Sequence, residues 1–135
     1  DVDPMQINVG FLLSLLGKGI TPVFCAITHD RNGSILNTNA DTMASSVAIA
    51  LSGEYYTKLI YCFEKQGVLS NADDNESVIP LITKESYKSL KDKGVIKEGM
   101  IPKMDNAFYA IDNGVSEVYI KHASNLGNDK GTVLK

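Results

Sequence analysis

Two short segments carry the side chains best suited to chemistry on an anionic substrate. Residues 37–41 read Asn-Thr-Asn-Ala-Asp, and residues 99–103 read Gly-Met-Ile-Pro-Lys. Each segment leads into apolar residues at helical spacing, so each is expected at the beginning of a helix, where unpaired backbone N–H groups attract negative charge. If the two segments face one crevice, they form half of a phosphoryl-transfer site.

The residues of the first segment also have simpler explanations. Asp41 in the first turn of a helix is stabilised by the helix dipole and the free N–H groups, whatever its function. Asn37 and Asn39 could hold a small polar ligand, or they could hydrogen-bond only to the backbone of their own turn. The pattern alone leaves both interpretations open.

Lys103 is the more informative residue. A cation in the first turn of a helix opposes the helix dipole by up to ~1 kcal/mol, so a compensating interaction is expected. An exposed lysine could simply extend into water. A lysine that holds a phosphate, with Gly99 allowing close approach of the backbone, explains the position better.

The apolar patterning predicts alternating helices and strands. The predicted helices cover Gln6–Leu16, the segment from Asp41 to about Leu51, a polar segment from an N-cap at Thr83 to about Gly94, and Met100–Asn113 with Gly114 ending it. The predicted strands are Ile20–Thr28, which we expect to be central and buried on both faces, Ser34–Leu36, Lys58–Phe63, Val78–Ile82, Val115–Ile120 and a last short strand at 131–134.

This alternation predicts one α/β domain over residues 1–135, a three-layer α/β/α sandwich with a mainly parallel sheet. Ligands of such sheets bind beyond the carboxyl ends of the strands. Asn37, Phe63, Glu64 and His122 all fall at or just after predicted strand ends. We therefore expect the site at that edge.

Composition excludes several classes of protein. The net charge of −3, without a continuous basic run, argues against nucleic acid as a partner. The longest apolar run is too short to cross a bilayer, so we expect no membrane association and a cytoplasmic protein. Cys25 and Cys62 are expected to be buried, reduced thiols, and the two histidines add no metal-ligand spacing.

Two common catalytic arrangements are also missing from the sequence. No phosphate-binding G-x-x-x-x-G-K-[ST] loop is present, and residues 17–19, Gly-Lys-Gly, follow a predicted helix rather than precede one. The two isolated histidines, His29 and His122, suggest no Ser-His-Asp or Cys-His arrangement.

Taken in order, segment 37–41, the alanine-rich helix after it, segment 99–103 and Gly131-Thr132 resemble the C-terminal half of the amino acid kinase family. The resemblance runs along nearly the whole chain. Asp1-Val2-Asp3-Pro4 leads into a helix with no starting methionine. We therefore expect the N-terminal half to be absent here. We also expect the complete protein to be a homo-oligomer.

The resemblance implies transfer of the γ-phosphoryl group of MgATP to the side-chain carboxylate of N-acetyl-L-glutamate or another N-acylglutamate, in arginine biosynthesis. Asn37 would contact the acylated amino acid, and Asn39 would support the turn and touch the substrate. Asp41 would orient lysines around the transferring group, and Lys103 would stabilise charge on the phosphates. The expected nucleotide-binding residues are Phe63, Glu64, Gly67, Gly99, Met100 and Lys103.

Two departures from the family pattern leave alternatives open. Where the family commonly has Thr or Ser followed by Asp, this chain has Phe63 and Glu64, and Glu64 could replace the Asp. The glycine-rich turn and the lysine that hold the phosphates in this family belong to its N-terminal half, so we expect them to be absent here. The alternatives are another kinase of the family, acting on aspartate, glutamate, carbamate or uridylate, and a noncatalytic module that binds a nucleotide or an amino acid.

Overall fold

A computed structural model describes residues 2–135, except for the side chain of Glu98. The helices of the described chain are α1 (Val9–Leu16), α2 (Ala40–Leu51), α3 (Lys84–Asp92) and α4 (Ile101–Asp112). The strands are β1 (Ile27–His29), β2 (Ile35–Asn37), β3 (Lys58–Phe63), β4 (Leu81–Ile82), β5 (Glu117–His122) and β6 (Thr132–Leu134). Short 3-10 turns lie at Pro4–Gln6, Glu98–Met100 and Ala123–Asn125.

Four strands form the main sheet, in the order β3-β5-β6-β4. Strands β3 and β5 pair in parallel over their whole length, β4 and β6 pair in parallel over two residues, and β5 and β6 are antiparallel. The register pairs Phe63 with His122, so β3 and β5 end side by side. As predicted, the chain is an α/β protein with a mostly parallel sheet, and two of the positions expected at strand ends, Phe63 and His122, are neighbours at its edge.

The core lies between the sheet and helices α2 and α4. Alternate residues of β3 and β5 face it, and Leu59, Tyr61, Val118 and Ile120 are all buried there. Helix α3 packs on the outside of α4, where the ring of Tyr87 stacks on that of Phe108 with 5.2 Å between centroids. The helices therefore hold fixed positions relative to the ends of β3 and β5.

Local signals explain where the helices begin and end. Thr83 caps α3 in a capping box with Ser86, as the sequence predicted for the cap. Gly94 and Gly114 follow α3 and α4 with φ of 68° and 101°, a left-handed conformation that glycine adopts without strain. Helix α1 begins later than predicted, because Asn8 caps it after the separate turn at Pro4–Gln6.

The prediction of a buried central strand at Ile20–Thr28 is wrong. Only Ile27–His29 forms a strand, and it pairs with β2 in a separate antiparallel ribbon. Val23 is 93 % exposed and Phe24 is 49 % exposed. Apolar residues on both faces of a strand are buried only when layers pack on both sides, and within residues 2–135 this segment pairs with no strand of the main sheet.

The expectation of buried thiols is also wrong. Cys25 and Cys62 are both free and exposed. Cys25 lies in the unpaired segment before β1, and Cys62 lies on the face of β3 that points away from the helices. Of the helices within residues 2–135, none combines the length and the apolar character needed to cross a bilayer.

A group of charged side chains lies on the outer face of the sheet. The Glu117 carboxylate accepts hydrogen bonds from the Tyr119 hydroxyl at 2.8 Å, and it pairs with the Lys58 ammonium at 3.1 Å and the Lys135 ammonium at 3.4 Å. The Tyr119 hydroxyl, followed by Lys58, lowers the pKa of Glu117 to about 2. Glu117 is therefore ionised in the folded chain over most of the acid range.

This lowered pKa predicts an acid-dependent contribution to stability. The contribution of Glu117 is complete above its usual pKa and is lost as the pH falls toward about 2, because the unfolded chain takes up the proton first. Replacing Glu117 with Gln should therefore lower the thermal unfolding midpoint near pH 6, and the difference from wild type should shrink between about pH 5 and pH 2.

The control is Glu54→Gln, which removes a carboxylate that forms no salt bridge within residues 2–135. Circular dichroism melts at a series of pH values would give the comparison. A constant difference between Glu117→Gln and wild type over the whole series would contradict the assignment.

Candidate active site

The carboxylate of Asp41 and the ammonium group of Lys103 form an ion pair. The Lys103 Nζ lies 2.7 Å from both Asp41 carboxylate oxygens. The pair is partly shielded from water, since the Lys103 side chain is 15 % exposed and that of Asp41 is 30 % exposed. The two residues are far apart in the sequence, and the structure brings them together as the geometric prediction required.

Each partner comes from the first turn of its own helix. Asp41 is the second residue of α2, and Asn39 caps that helix by accepting hydrogen bonds from the N–H groups of Asp41 and Thr42 at 2.8 and 3.1 Å. Lys103 is the third residue of α4, where Met100 provides no side-chain cap. The compensation that a lysine needs at this position comes from the Asp41 carboxylate.

A third residue, Tyr61 of β3, contacts both partners. Its hydroxyl donates a hydrogen bond to the Asp41 carbonyl oxygen at 3.2 Å, and its ring centroid lies 4.7 Å from the Lys103 Nζ. Sequence reasoning treated this tyrosine only as part of an apolar strand. The available signal was a tyrosine at an inward-facing position, because a buried phenol needs a hydrogen-bond partner.

A cleft of about 350 Å³ opens at the carboxyl end of β3. The residues that line it are mainly apolar, with a few charged side chains among them: Phe63, Glu64, Lys65, Gly67, Val68, Leu69, Ala72, Asp73, Val95, Ile96, Lys97 and Met100. Met100 directly precedes α4, so the cleft adjoins the helix that carries Lys103. Its size and mixed lining are typical of a site for a small molecule.

Gly67 and Thr132 determine the shape of one wall of this cleft. The fully buried Thr132 hydroxyl accepts a hydrogen bond from the Val68 N–H at 2.8 Å and donates one to the Ile79 carbonyl oxygen at 2.8 Å. A Cβ atom on Gly67 would lie 2.7 Å from the Thr132 hydroxyl oxygen and 2.9 Å from a methyl group of Val78. Only glycine therefore fits at position 67 without movement of the wall.

Four of the predicted nucleotide-binding residues, Phe63, Glu64, Gly67 and Met100, line this one cleft. Gly99 is exposed, and a Cβ there would meet nothing within 4 Å. Lys103 takes part in the ion pair instead of lining the cleft.

The predicted substrate-binding asparagines lie elsewhere. Asn37 is exposed at the end of β2. The side-chain oxygen of Asn39 caps α2. This oxygen therefore hydrogen-bonds to the backbone of its own turn, which was the simpler of the two interpretations.

A second cavity, of about 580 Å³, lies between the N-terminal turn, the β1–β2 ribbon and α2. Met43, two residues after Asp41, lines it together with Thr28, His29, Arg31 and Leu36. The sequence prediction placed the substrate beside Asn37, which follows Leu36. Two residues that line the second cavity therefore lie close in the sequence to Asp41 and Asn37.

The residues present suit a nucleotide better than a bound metal ion. The cleft offers apolar surface from Phe63, Val68 and Met100 for a base, and the ammonium groups of Lys65 and Lys97 for phosphates. Among residues 2–135, no group of three His, Cys, Asp or Glu side chains is arranged to hold a metal. Mg²⁺ commonly binds through substrate phosphates and water with few protein ligands, so its use would not require such a group.

The model of the amino acid kinase family matches residues 3–122 of the chain. The chain belongs to the amino acid kinase family. The matched range includes Asp41, Lys103 and all the residues that line the cleft, whereas Thr132 lies outside it.

Curated members of the family resemble the chain closely. The acetylglutamate kinase of Phocaeicola vulgatus is 50 % identical over 133 residues, which cover 98 % of this chain and 52 % of that protein. The acetylglutamate kinase of Cytophaga hutchinsonii is 54 % identical over 124 residues, covering 92 % of this chain and 47 % of that protein. The chain thus spans about half the length of these curated relatives.

A solved structure shares the fold. The protein smu.665 of Streptococcus mutans UA159 superposes with a TM-score of 0.78 at 32 % identity, over 96 % of this chain and 48 % of that one. The agreement in fold extends over nearly the whole chain, including the helices that carry Asp41 and Lys103.

The glycine at position 67 supports a prediction about the cleft. Gly67→Ala should push the wall at Val68 away from Thr132 and weaken nucleotide binding at least about tenfold, because the methyl group has no free space. Gly53→Ala is the matched control, since a Cβ there meets nothing within 4 Å. Isothermal titration with ATP would measure both, and equal affinities would contradict the assignment of this cleft to the nucleotide.

Proposed function

We propose that these residues supply the nucleotide-binding, C-terminal half of a longer enzyme that phosphorylates an N-acylated glutamate. The reaction transfers the γ-phosphoryl group of MgATP to the side-chain carboxylate of N-acetyl-L-glutamate or a related N-acylglutamate. The observation that carries the proposal is the Asp41–Lys103 pair, formed by two helix beginnings next to the cleft at the end of β3. The resemblance to curated acetylglutamate kinases supports this choice of substrate.

Phosphoryl transfer requires mainly positioning and neutralisation of charge. The Lys103 ammonium supplies positive charge near the cleft, and the N-terminal end of the α4 dipole adds to it. Asp41 accepts from Lys103 with both oxygens, so the ammonium is held in one direction and loses little freedom when a phosphate arrives. When bound, Mg²⁺ supplies further charge neutralisation on the phosphates.

The two cavities suggest a division of the substrates. ATP occupies the cleft lined by Phe63, Glu64, Gly67 and Met100, with Gly99 leaving room for phosphates at the beginning of α4. The acylated glutamate lies on the side of Asn37 and Asn39, where the second cavity offers Leu36 and Met43 for the acyl group. Arg31 lines the same cavity beside Asp3 and Asp30 and is the cation available there for a carboxylate. Asp41 and Lys103 then lie between the acceptor carboxylate and the nucleotide.

The product, an acyl phosphate, fits a step in arginine biosynthesis, and the complete enzyme is expected to be cytoplasmic and homo-oligomeric. Carbamate, aspartate, glutamate and uridylate are the competing acceptors within the family. An ADP-release assay of the complete enzyme with each acceptor would decide among them, and ATP binding without turnover of any acceptor would favour a noncatalytic module.

Removal of either charge of the pair provides the test of the chemistry. In the complete enzyme, Lys103→Met should lower kcat at least about 100-fold, as expected for a group that stabilises developing charge. Asp41→Asn should lower kcat about tenfold or more, because the amide leaves the ammonium less firmly held. Both variants should remain folded, as judged by their thermal unfolding midpoints.

The chain offers a matched control for this experiment. Lys84 and Asp112 form another lysine–aspartate pair, on α3 and α4, which is about half exposed. Lys84→Met and Asp112→Asn should leave kcat within about twofold of wild type, since exposed pairs contribute little. Near-normal kcat in both Lys103→Met and Asp41→Asn would refute the proposed roles.

A further inference from the structure

Tyr61 contacts both Asp41 and Lys103 from the side of the sheet. It is 4 % exposed and lies in the middle of β3, between the sheet and the first turns of α2 and α4. One end of the side chain hydrogen-bonds to the Asp41 backbone, and the ring lies under the Lys103 ammonium. A single rigid side chain thus spans two elements that are separate in the sequence.

The hydroxyl of Tyr61 fixes the beginning of α2 relative to the sheet. The Asp41 carbonyl has two lone pairs, so it accepts from Tyr61 in addition to its partner within the helix. The bond requires a protonated phenol. Burial raises the pKa of Tyr61 to about 12, opposed in part by the Ser45 hydroxyl and aided by a smaller contribution from the Asp41 carboxylate, so the hydroxyl remains a donor at physiological pH.

The ring of Tyr61 acts on the other partner. An ammonium within about 6 Å of a ring centroid is attracted to the negative face of the ring, and the attraction grows as water is excluded. The Lys103 side chain is 15 % exposed and its Nζ lies 4.7 Å from the centroid. The ring therefore opposes movement of the ammonium away from Asp41 into water.

We propose that Tyr61 is a positioning residue for phosphoryl transfer, which holds the Lys103 ammonium and the first turn of α2 in one arrangement. Its effect on the reaction passes through Lys103 and Asp41 and involves no contact with substrate. The inference rests on the proposed function for its kinetic consequences, whereas the contact between ring and ammonium can be tested without any activity.

Two substitutions separate the hydroxyl from the ring. Tyr61→Phe removes the hydrogen bond and keeps the ring, so kcat of the complete enzyme should fall about threefold. Tyr61→Leu removes both and keeps an apolar side chain in the core, so kcat should fall about tenfold or more. Tyr87→Leu is the matched control, because it removes another tyrosine ring and another hydroxyl hydrogen bond, to Asp105, away from the pair.

A double substitution distinguishes positioning from a general loosening of the fold. If Tyr61 acts through the lysine, adding Tyr61→Leu to Lys103→Met should lower the residual kcat no further. If Tyr61→Leu instead loosened the whole fold, it would lower kcat in the Lys103→Met background by the same factor as in the wild-type background. That additive result would overturn the proposal, as would wild-type kcat in Tyr61→Leu.

A magnetic resonance measurement tests the contact directly. In protein with ¹³C-labelled lysine, the ε-methylene signal that disappears in Lys103→Met belongs to Lys103. The Tyr61 ring should displace this signal from those of exposed lysines in wild type and in Tyr61→Phe, and Tyr61→Leu should remove the displacement. An unchanged signal in Tyr61→Leu would overturn the inference, whereas a wild-type enzyme that phosphorylates no acylglutamate would refute the proposed function alone.

Discussion

The ion pair between Asp41 and Lys103 is the interaction on which the candidate site depends. Asp41 alone would be favourable at the beginning of a helix, whereas Lys103 alone would be unfavourable there. At 2.7 Å from both carboxylate oxygens, the ammonium is compensated and oriented at once. The parallel pairing of β3 with β5 makes this possible, because α2 precedes β3, α4 precedes β5, and both helices pack over one face of the sheet.

The pair also explains the asymmetry between the two helices. Helix α2 begins with a complete set of local contacts, since Asn39 caps it and Asp41 has the sign that the dipole favours. Helix α4 begins without a side-chain cap and with a cation in its first turn. A helix beginning without a side-chain cap beside a cleft is suited to an anion. The weaker beginning is therefore the one that adjoins the proposed phosphate position.

Much of this arrangement could be predicted from local sequence. Thr83 and Gly114 mark helix ends by their own chemistry, and the helical spacing of Met104, Ala107 and Phe108 identifies the buried face of α4. The convergence of Asp41 and Lys103 was predicted from their positions at two helix beginnings, and the structure shows that they meet. Local signals could not predict which residues are buried or which hydrogen-bond partners they have. The segment around Val23 and Phe24 has the composition of a buried strand, but burial depends on neighbouring layers that a local pattern does not specify. Cys25, Cys62 and Tyr61 illustrate the same limit, since exposure and hydrogen-bond partners are tertiary properties.

The central claim is that the Lys103 ammonium acts on the transferring phosphoryl group while Asp41 holds it. The most direct measurement is a crystal structure of the complete enzyme with a nonhydrolysable ATP analogue and the acylglutamate. The account predicts the Lys103 Nζ within hydrogen-bond distance of an oxygen of the transferring phosphoryl group, still bonded to the Asp41 carboxylate, with the base in the cleft between Phe63 and Met100. A nucleotide bound with its phosphates out of reach of Lys103 would contradict it.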